Sequence, residues 1–192
     1  MSSPTALSPT AYGATAKSLH WLVAVGVVTA FGLGWVMTDI PGITPTKLKY
    51  YNWHKWLGVT LFALSMVRLT WRAFHPPPPL PPGLSSFQRR GAQAMHVALY
   101  VATLAVPVSG YLYTLAAGFP VVYLGWVELP VLFGKTPVLI EPLKLLHKVA
   151  AYTMASGVLL HAGAALFHHF RDHDGVLLRM LPRFLAKRPS QV

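Results

Sequence analysis

The 192-residue sequence has no cysteine and little charge. The absence of cysteine excludes disulfide bonds, thiolate metal sites, iron–sulfur clusters and covalently attached c-type haem. Charged residues make up 11% of the chain and hydrophobic residues 54%, whereas a soluble domain is about 25% charged. The few charges separate long apolar runs, and this pattern is typical of a membrane protein rather than of a soluble protein with a large core.

Acidic residues are also scarce. Five Asp and Glu stand against 16 Lys and Arg, which gives a formal net charge of +11. In a soluble protein this excess would suggest nucleic acid as a partner. Here the basic residues flank apolar runs, where they face lipid headgroups. We therefore expect the lipid bilayer, and not nucleic acid, as the partner of this basic chain.

Four apolar runs are long enough to cross a bilayer. Each covers about 20 residues or more, which suffices for a hydrocarbon core of about 30 Å. The predicted helices cover residues 18–37, 51–74, 93–117 and 143–170, with proline-containing loops between them. The first run is long and lacks a persuasive cleavage site, so we interpret it as a retained helix rather than a signal peptide. The predicted fold is an all-α integral membrane four-helix bundle.

Lysine and arginine are distributed unevenly between the two ends of this bundle. Every arginine falls on the side that the N-terminus shares with the C-terminal tail, whereas six of the eight lysines fall on the opposite side. The more positive side is expected to be cytoplasmic, so both termini are predicted to be cytoplasmic. The chain then divides into a polar N-terminal segment (1–17), a four-helix domain (18–170) and a basic cytoplasmic tail (171–192).

Four histidines lie at positions where buried charge would be costly: His20, His54, His147 and His161. A polar residue within a membrane span indicates a functional site. His147 and His161 are fourteen residues apart in the last span, so they share a helix face at a separation of about 21 Å. By the predicted topology, His20 is level with His161. His54 is likewise level with His147.

Two facing imidazoles from separate helices are what a six-coordinate haem iron needs, and bundle cores commonly hold such sites. The sequence therefore predicts two haem b groups, one between His20 and His161 and the other between His54 and His147. Together they would pass electrons across the bilayer. Glycines on all four predicted helices, such as Gly110 on the third, fit two interpretations: room for a flat porphyrin, or ordinary helix packing.

Several stretches of the sequence resemble the bacterial cytochrome b561 family. They are SLHWL at 18–22, WHK at 53–55, MVRL at 66–69, PVSG at 107–110, LHK at 146–148, LHAGAALFHHF at 160–170 and LLRMLPR at 177–183. The resemblance covers nearly the whole chain. It implies a di-haem cytochrome b of the bacterial inner membrane that exchanges electrons with ubiquinone, and it implies the same two histidine pairs as ligands.

The resemblance also implies a reaction and a quinone site. Similar family members act as superoxide oxidases, which take an electron from superoxide at the periplasmic face and reduce ubiquinone. It further implies that His96 and His168 line the quinone pocket. Independently of the resemblance, quinone reduction consumes protons, and imidazole can relay protons near neutral pH. No residue is assigned a direct catalytic role.

Six lysines lie at the predicted periplasmic end: Lys47, Lys49, Lys55, Lys135, Lys144 and Lys148. Only Asp39, Glu128 and Glu141 oppose them on that side. The lysines are interpreted either as a positive surface that steers superoxide towards the outer haem or as an ordinary solvated loop surface.

Two further functions stay open. The first alternative to a superoxide oxidase is a cytochrome b subunit that links a periplasmic dehydrogenase or hydrogenase to the quinone pool. The second is a haem-free transporter or scaffold. In the first case the lysine surface would dock an acidic protein partner.

Overall fold

The computed structural model describes residues 11–79, 85–172 and 175–182, and the side chain of Asp172 is not described. Four long helices dominate it: α1 (Ala14–Asp39), α2 (Pro45–Phe74), α3 (Ser86–Ala116) and α4 (Pro137–Phe167). Each is long and apolar enough to cross a membrane. The predicted four-helix bundle is confirmed. Parts of the predicted N-terminal segment and basic tail, residues 1–10, 173–174 and 183–192, lie outside the described residues.

Three smaller elements complete the described chain. A π-helical turn, η1 (His168–Asp172), continues α4, and the short helix α5 (Val176–Met180) follows it. Between α3 and α4 lies an antiparallel hairpin of β1 (Val122–Tyr123) and β2 (Val127–Glu128). Leu124 and Gly125, the central residues of its turn, have φ of 53° and 80°. Positive φ at both central positions is the geometry of a type I′ turn, which matches the twist of paired strands.

The helices begin earlier than the sequence predicts. Pro45 and Pro137, expected in loops, are instead the first residues of α2 and α4. Proline is tolerated there because the first helical N–H has no intrahelical partner and the ring presets φ near the helical value. At the start of α3, Ser85 forms a capping box with Gln88, and this satisfies two otherwise unpaired backbone donors.

The two ends of the bundle are called the terminal end and the hairpin end. The terminal end is where α1 and α3 begin and α2 and α4 end; the hairpin end is the opposite one. At the terminal end α5 folds back over the start of α1. The Lys17 ammonium donates to the Leu181 carbonyl at 2.8 Å, and the Trp21 indole N–H donates to the Met180 carbonyl at 3.0 Å.

Packing differs between the pairs of helices. Consecutive helices pack closely along their length, whereas α4 makes few close backbone contacts with α1 or with α2. A small apolar cluster joins all four helices: Val23 and Val27 of α1, Leu61 of α2, Val106 of α3 and Met154 of α4. Because α4 stands apart from α1 and α2, the gap between these helices is wider than that between closely packed helices.

The hairpin lies beside α2 rather than only across the end of the bundle. The Trp56 indole N–H donates to the Val122 carbonyl at 2.7 Å, and the hydroxyl oxygens of Thr60 and Tyr123 lie 2.9 Å apart. Thr60 is six residues further along α2 than His54, or about 9 Å towards the middle of the bundle. The hairpin therefore covers the flank of α2 from just beyond His54 towards the middle of the bundle.

Candidate functional site

His54 on α2 and His147 on α4 face each other near the hairpin end, with ring centroids 6.1 Å apart. Nδ1 of His54 lies 2.9 Å from the Ala30 carbonyl oxygen of α1, and Nδ1 of His147 lies 3.0 Å from the Val106 carbonyl oxygen of α3. A ring nitrogen can bond a carbonyl oxygen only as an N–H donor, so Nδ1 carries the proton and Nε2 keeps its lone pair. Ligand histidines in metal sites are oriented by the same kind of contact.

A glycine makes room for each of these two rings. Gly34 lies one turn after the acceptor carbonyl of α1, and Gly110 lies one turn after the acceptor carbonyl of α3. A Cβ would come within 3.3 Å of the histidine Cε1 at Gly34 and within 2.8 Å at Gly110. The same arrangement therefore occurs twice in this bundle. In each case a histidine ring contacts a backbone carbonyl and a glycine that lies one helical turn later.

His20 on α1 and His161 on α4 form the second facing pair, near the terminal end, with ring centroids 6.3 Å apart. The ring of His96 on α3 also lies beside this pair, with its centroid 5.4 Å from that of His161. Within the described part of the chain, the buried Nδ1 of His20 has no hydrogen-bond partner. Backbone carbonyls therefore fix the tautomers of the hairpin-end pair. No such contact fixes the tautomer of His20 within the described residues.

Both pairs fit the iron of a haem. An imidazole nitrogen lies about 2.0 Å from a first-row metal that it ligates, so imidazoles on opposite sides of one ion have ring centroids about 6 Å apart. The observed centroid distances are 6.1 and 6.3 Å. Each pair also bridges a gap between helices that have few close backbone contacts. In a chain without cysteine, this all-imidazole donor set suits a non-covalent b-type haem.

The structure brings together both pairs that the sequence predicts. His147 and His161 are fourteen residues apart on α4, so the two pairs lie about 21 Å apart along this helix. The facing rings are a structural finding, and their role as iron ligands stays a prediction.

The two quinone-site candidates both lie towards the terminal end. His96 lies against His161, as described above. His168 begins the π-helical turn, and its ring meets the Phe167 ring edge-on at 6.2 Å. It is seven residues beyond His161, or about 10 Å along the helix axis. Single π-turns occur frequently at functional sites, but a pocket shared by His96 and His168 stays a prediction.

The six lysines named from the sequence all lie at the hairpin end, on the starts of α2 and α4 and in the loop before α4. Lys55 and Lys148 directly follow the paired histidines of that end. Lys144 forms an exposed ion pair with Glu141 at 3.3 Å, which contributes little in water. Of the three others, Lys49 and Lys135 have exposed side chains. Six lysines against three acidic residues give this end a net positive surface.

Ser109 is a residue of this site that sequence reasoning missed. It is buried, its hydroxyl donates to the Val106 carbonyl at 2.8 Å, and it lies 3.2 Å from Nδ1 of His147. The signal that could have found it is its place directly before Gly110 in the stretch that resembles the cytochrome family. The acceptor carbonyls themselves leave no such signal, because every residue has one.

Four membrane-crossing helices with a facing imidazole pair towards each end define a membrane cytochrome of the b type. A family model described as prokaryotic cytochrome b561 matches residues 11–183. The chain is 34% identical over 183 residues to cytochrome b561 homolog 2 of Escherichia coli strain K12, covering 91% of this chain and 93% of that protein. It is 28% identical over 165 residues to cytochrome b561 homolog 1 of the same organism, covering 86% of this chain and 93% of that protein.

A third relative is a probable superoxide oxidase CybB of Yersinia pestis, 28% identical over 176 residues, covering 90% of this chain and 96% of that protein. The chain belongs to the prokaryotic cytochrome b561 family. It is a membrane electron-transfer protein of oxidoreductase type, it crosses the bacterial inner membrane several times, and its family implies that it binds haem b. The resemblance of the sequence to this family is confirmed.

Proposed function

We propose that this protein oxidises superoxide at the periplasmic face of the inner membrane and reduces ubiquinone. The observation that carries the proposal is the facing of His54 with His147 and of His20 with His161, at levels about 21 Å apart along α4. The name of the Yersinia pestis relative, a probable superoxide oxidase, supports the choice of reaction.

The four imidazoles would hold one haem b in each pair, and each haem would supply one-electron redox chemistry when bound. Such a carrier suits superoxide, which gives up a single electron. The protein contributes the position of the rings. The Ala30 and Val106 carbonyls keep Nδ1 of the hairpin-end histidines protonated, so that Nε2 is free as a ligand.

The hairpin end would face the periplasm and the terminal end the cytoplasm. The distribution of arginine supports this orientation, since every arginine of the described residues falls at the terminal end. The lysine surface of the hairpin end runs against this tendency. A positive surface raises the encounter rate of a small anion. If superoxide is the electron donor, these lysines would attract it to the hairpin end.

The overall reaction would consume two superoxide anions, one ubiquinone and two protons, and it would yield two molecules of oxygen and one ubiquinol. Two electrons and two protons must therefore reach the quinone head. His96 and His168 lie towards the terminal end, where the electrons would arrive, and imidazole can donate and recover a proton near neutral pH. We propose that they line the quinone site.

The test is the reaction of the purified protein with superoxide. We expect a reduced-minus-oxidised spectrum of two low-spin b haems, rapid haem reduction by superoxide and reoxidation by ubiquinone. Superoxide dismutase should abolish the reduction. If superoxide leaves the haems oxidised while ubiquinol reduces them, the donor or the direction is wrong, and a colourless protein would contradict haem binding altogether.

A second candidate function is that of a cytochrome b subunit serving a periplasmic dehydrogenase or hydrogenase. The exposed lysines of the hairpin end favour it, because a positive surface is complementary to an acidic protein partner. Purification of the protein from its own membranes in mild detergent separates the two. A stable acidic partner that reduces the haems faster than superoxide does would favour the subunit.

A further inference from the structure

Arg68 and Arg72 lie one turn apart on α2, near the terminal end, and both turn towards α3. Their guanidinium carbons lie 5.2 and 5.8 Å from the centroid of the Tyr100 ring. Both side chains are half-buried. An arginine that only snorkels extends along its own helix to the membrane surface. These two instead point into the space between α2 and α3.

This space borders the terminal-end histidine pair. Arg68 is within electrostatic range of His20, His96 and His161, and Arg72 is within range of His96. Two cations therefore lie beside the imidazoles that the proposed function assigns to a haem.

No carboxylate of the described residues pairs with either guanidinium. The ion pair between Lys144 and Glu141, which lies at the opposite end, is the only one in the described part of the chain. Two neighbouring cations inside a membrane protein are costly unless an anion compensates them. The face of one tyrosine offsets part of this cost by a cation–π contact. Among the described residues, it leaves the N–H donors of two guanidinium groups without an anionic acceptor.

We propose that Arg68 and Arg72 bind the two propionate carboxylates of the haem held between His20 and His161. This inference rests on the proposed function, because it takes a haem at that pair. A haem b carries two carboxylates at one edge, and a guanidinium group matches a carboxylate with two parallel N–H donors. The arginines would anchor the edge of the ring, while the imidazoles hold its centre.

The same contact has a consequence for electron flow. Carboxylates near an iron disfavour the addition of an electron, and cations that neutralise them favour it. Arg68 and Arg72 would therefore raise the reduction potential of the terminal-end haem. An electron that enters at the hairpin end would then be drawn towards the end at which we place the quinone.

The experiment uses the full chain carrying His54→Ala, in which the terminal-end haem is the one expected to remain. Arg68→Gln and Arg72→Gln are compared with Arg89→Gln, which removes an exposed cation from the first turn of α3. Two quantities are measured: the rate of haem loss to an excess of apomyoglobin, and the midpoint potential by spectroelectrochemical titration. We expect Arg68→Gln to lose haem about tenfold faster or more, as the loss of a charge-assisted contact predicts, and to lower the potential.

Arg72→Gln should change both quantities in the same direction, and Arg89→Gln should change neither. Arg68→Lys keeps the charge without the paired donors. It should keep the potential close to that of the parent while haem loss stays faster, which distinguishes the contact from a general loss of fold.

Three outcomes would overturn the inference. One is haem loss and potential in both glutamine variants equal to those of Arg89→Gln. Another is an unchanged potential in the two glutamine variants, together with the loss of an anionic phospholipid that native mass spectrometry detects on the parent. That result would assign the arginines to a lipid phosphate. The third is the absence of haem from the His54→Ala parent, which would also remove the proposed ligand pair. Failure of the protein to react with superoxide would instead contradict the proposed function and leave the arginine contacts standing.

Discussion

Gly110 of α3 lies directly against the imidazole of His147 of α4, so that a Cβ at this glycine would be 2.8 Å from Cε1 of the ring. The imidazole reaches the Val106 carbonyl one turn earlier on α3 because no side chain lies between them. The orientation of this candidate ligand is therefore set by a neighbouring helix rather than by its own.

We predict that Gly110→Ala disturbs the hairpin-end site and spares the other. The added methyl group must displace the imidazole, so the haem content should fall from about two per chain towards one. The haem-to-protein ratio measures this. Gly91→Ala on the same helix is the matched control, because nothing lies within 4 Å of a Cβ there. Two haems with unaltered spectra in Gly110→Ala would contradict the assignment of His147.

Each histidine pair should account for one haem. His54→Ala is expected to remove the hairpin-end haem alone and His161→Ala the terminal-end haem alone, because a six-coordinate haem loses its site when one axial imidazole is removed. The double variant should be colourless. His75→Ala serves as control, since this exposed ring is stacked on Trp71 at 3.8 Å, away from both pairs. Loss of both haems from a single variant would mean that the sites are not independent.

Neutralising lysines at the hairpin end should slow the reaction with superoxide. Lys49→Gln combined with Lys148→Gln is expected to lower the second-order rate constant of haem reduction by up to about tenfold at low salt. The difference should vanish near 1 M salt, where the screening length is about 3 Å. Stopped-flow absorbance measures the rate. An equal effect of Arg89→Gln, at the other end, would show that only net charge matters.

Removing the imidazole of His168 should slow quinone reduction and leave the reaction with superoxide intact. A proton-relaying group contributes about 10²-fold or more to such a step, so reoxidation of the reduced haems by ubiquinone should slow by that order in His168→Ala. His75→Ala is again the control, because it removes an exposed imidazole from the same end. Unchanged reoxidation would place the quinone elsewhere.

The absence of cysteine makes the orientation directly testable. Thr46→Cys on the first turn of α2 and Arg89→Cys on the first turn of α3 place single thiols at opposite ends of the bundle. We expect a membrane-impermeant maleimide to label Thr46→Cys in intact spheroplasts. Arg89→Cys should react only after permeabilisation. The reverse pattern would place the lysine surface in the cytoplasm and would exclude it as a periplasmic collector of superoxide.

The four helices and the levels of the histidines could be predicted from the sequence. A bilayer demands about 20 apolar residues per span, and the constant helical rise converts sequence position into depth. This arithmetic was enough to pair His20 with His161 and His54 with His147. It needed no knowledge of how the helices pack, because alternating helix directions already place the members of each pair at the same level.

The groups that surround these rings could not be predicted from the sequence. The Ala30 and Val106 carbonyls, the glycine beside each ring and the turn of Arg68 towards Tyr100 all depend on how one helix faces another. Local spacing does not encode that relationship, since the angle and rotation of packed helices follow from side chains spread over the whole bundle. The hairpin beside α2 has the same origin: its turn is local, but the helix flank that it covers is set by contacts between residues distant in the chain.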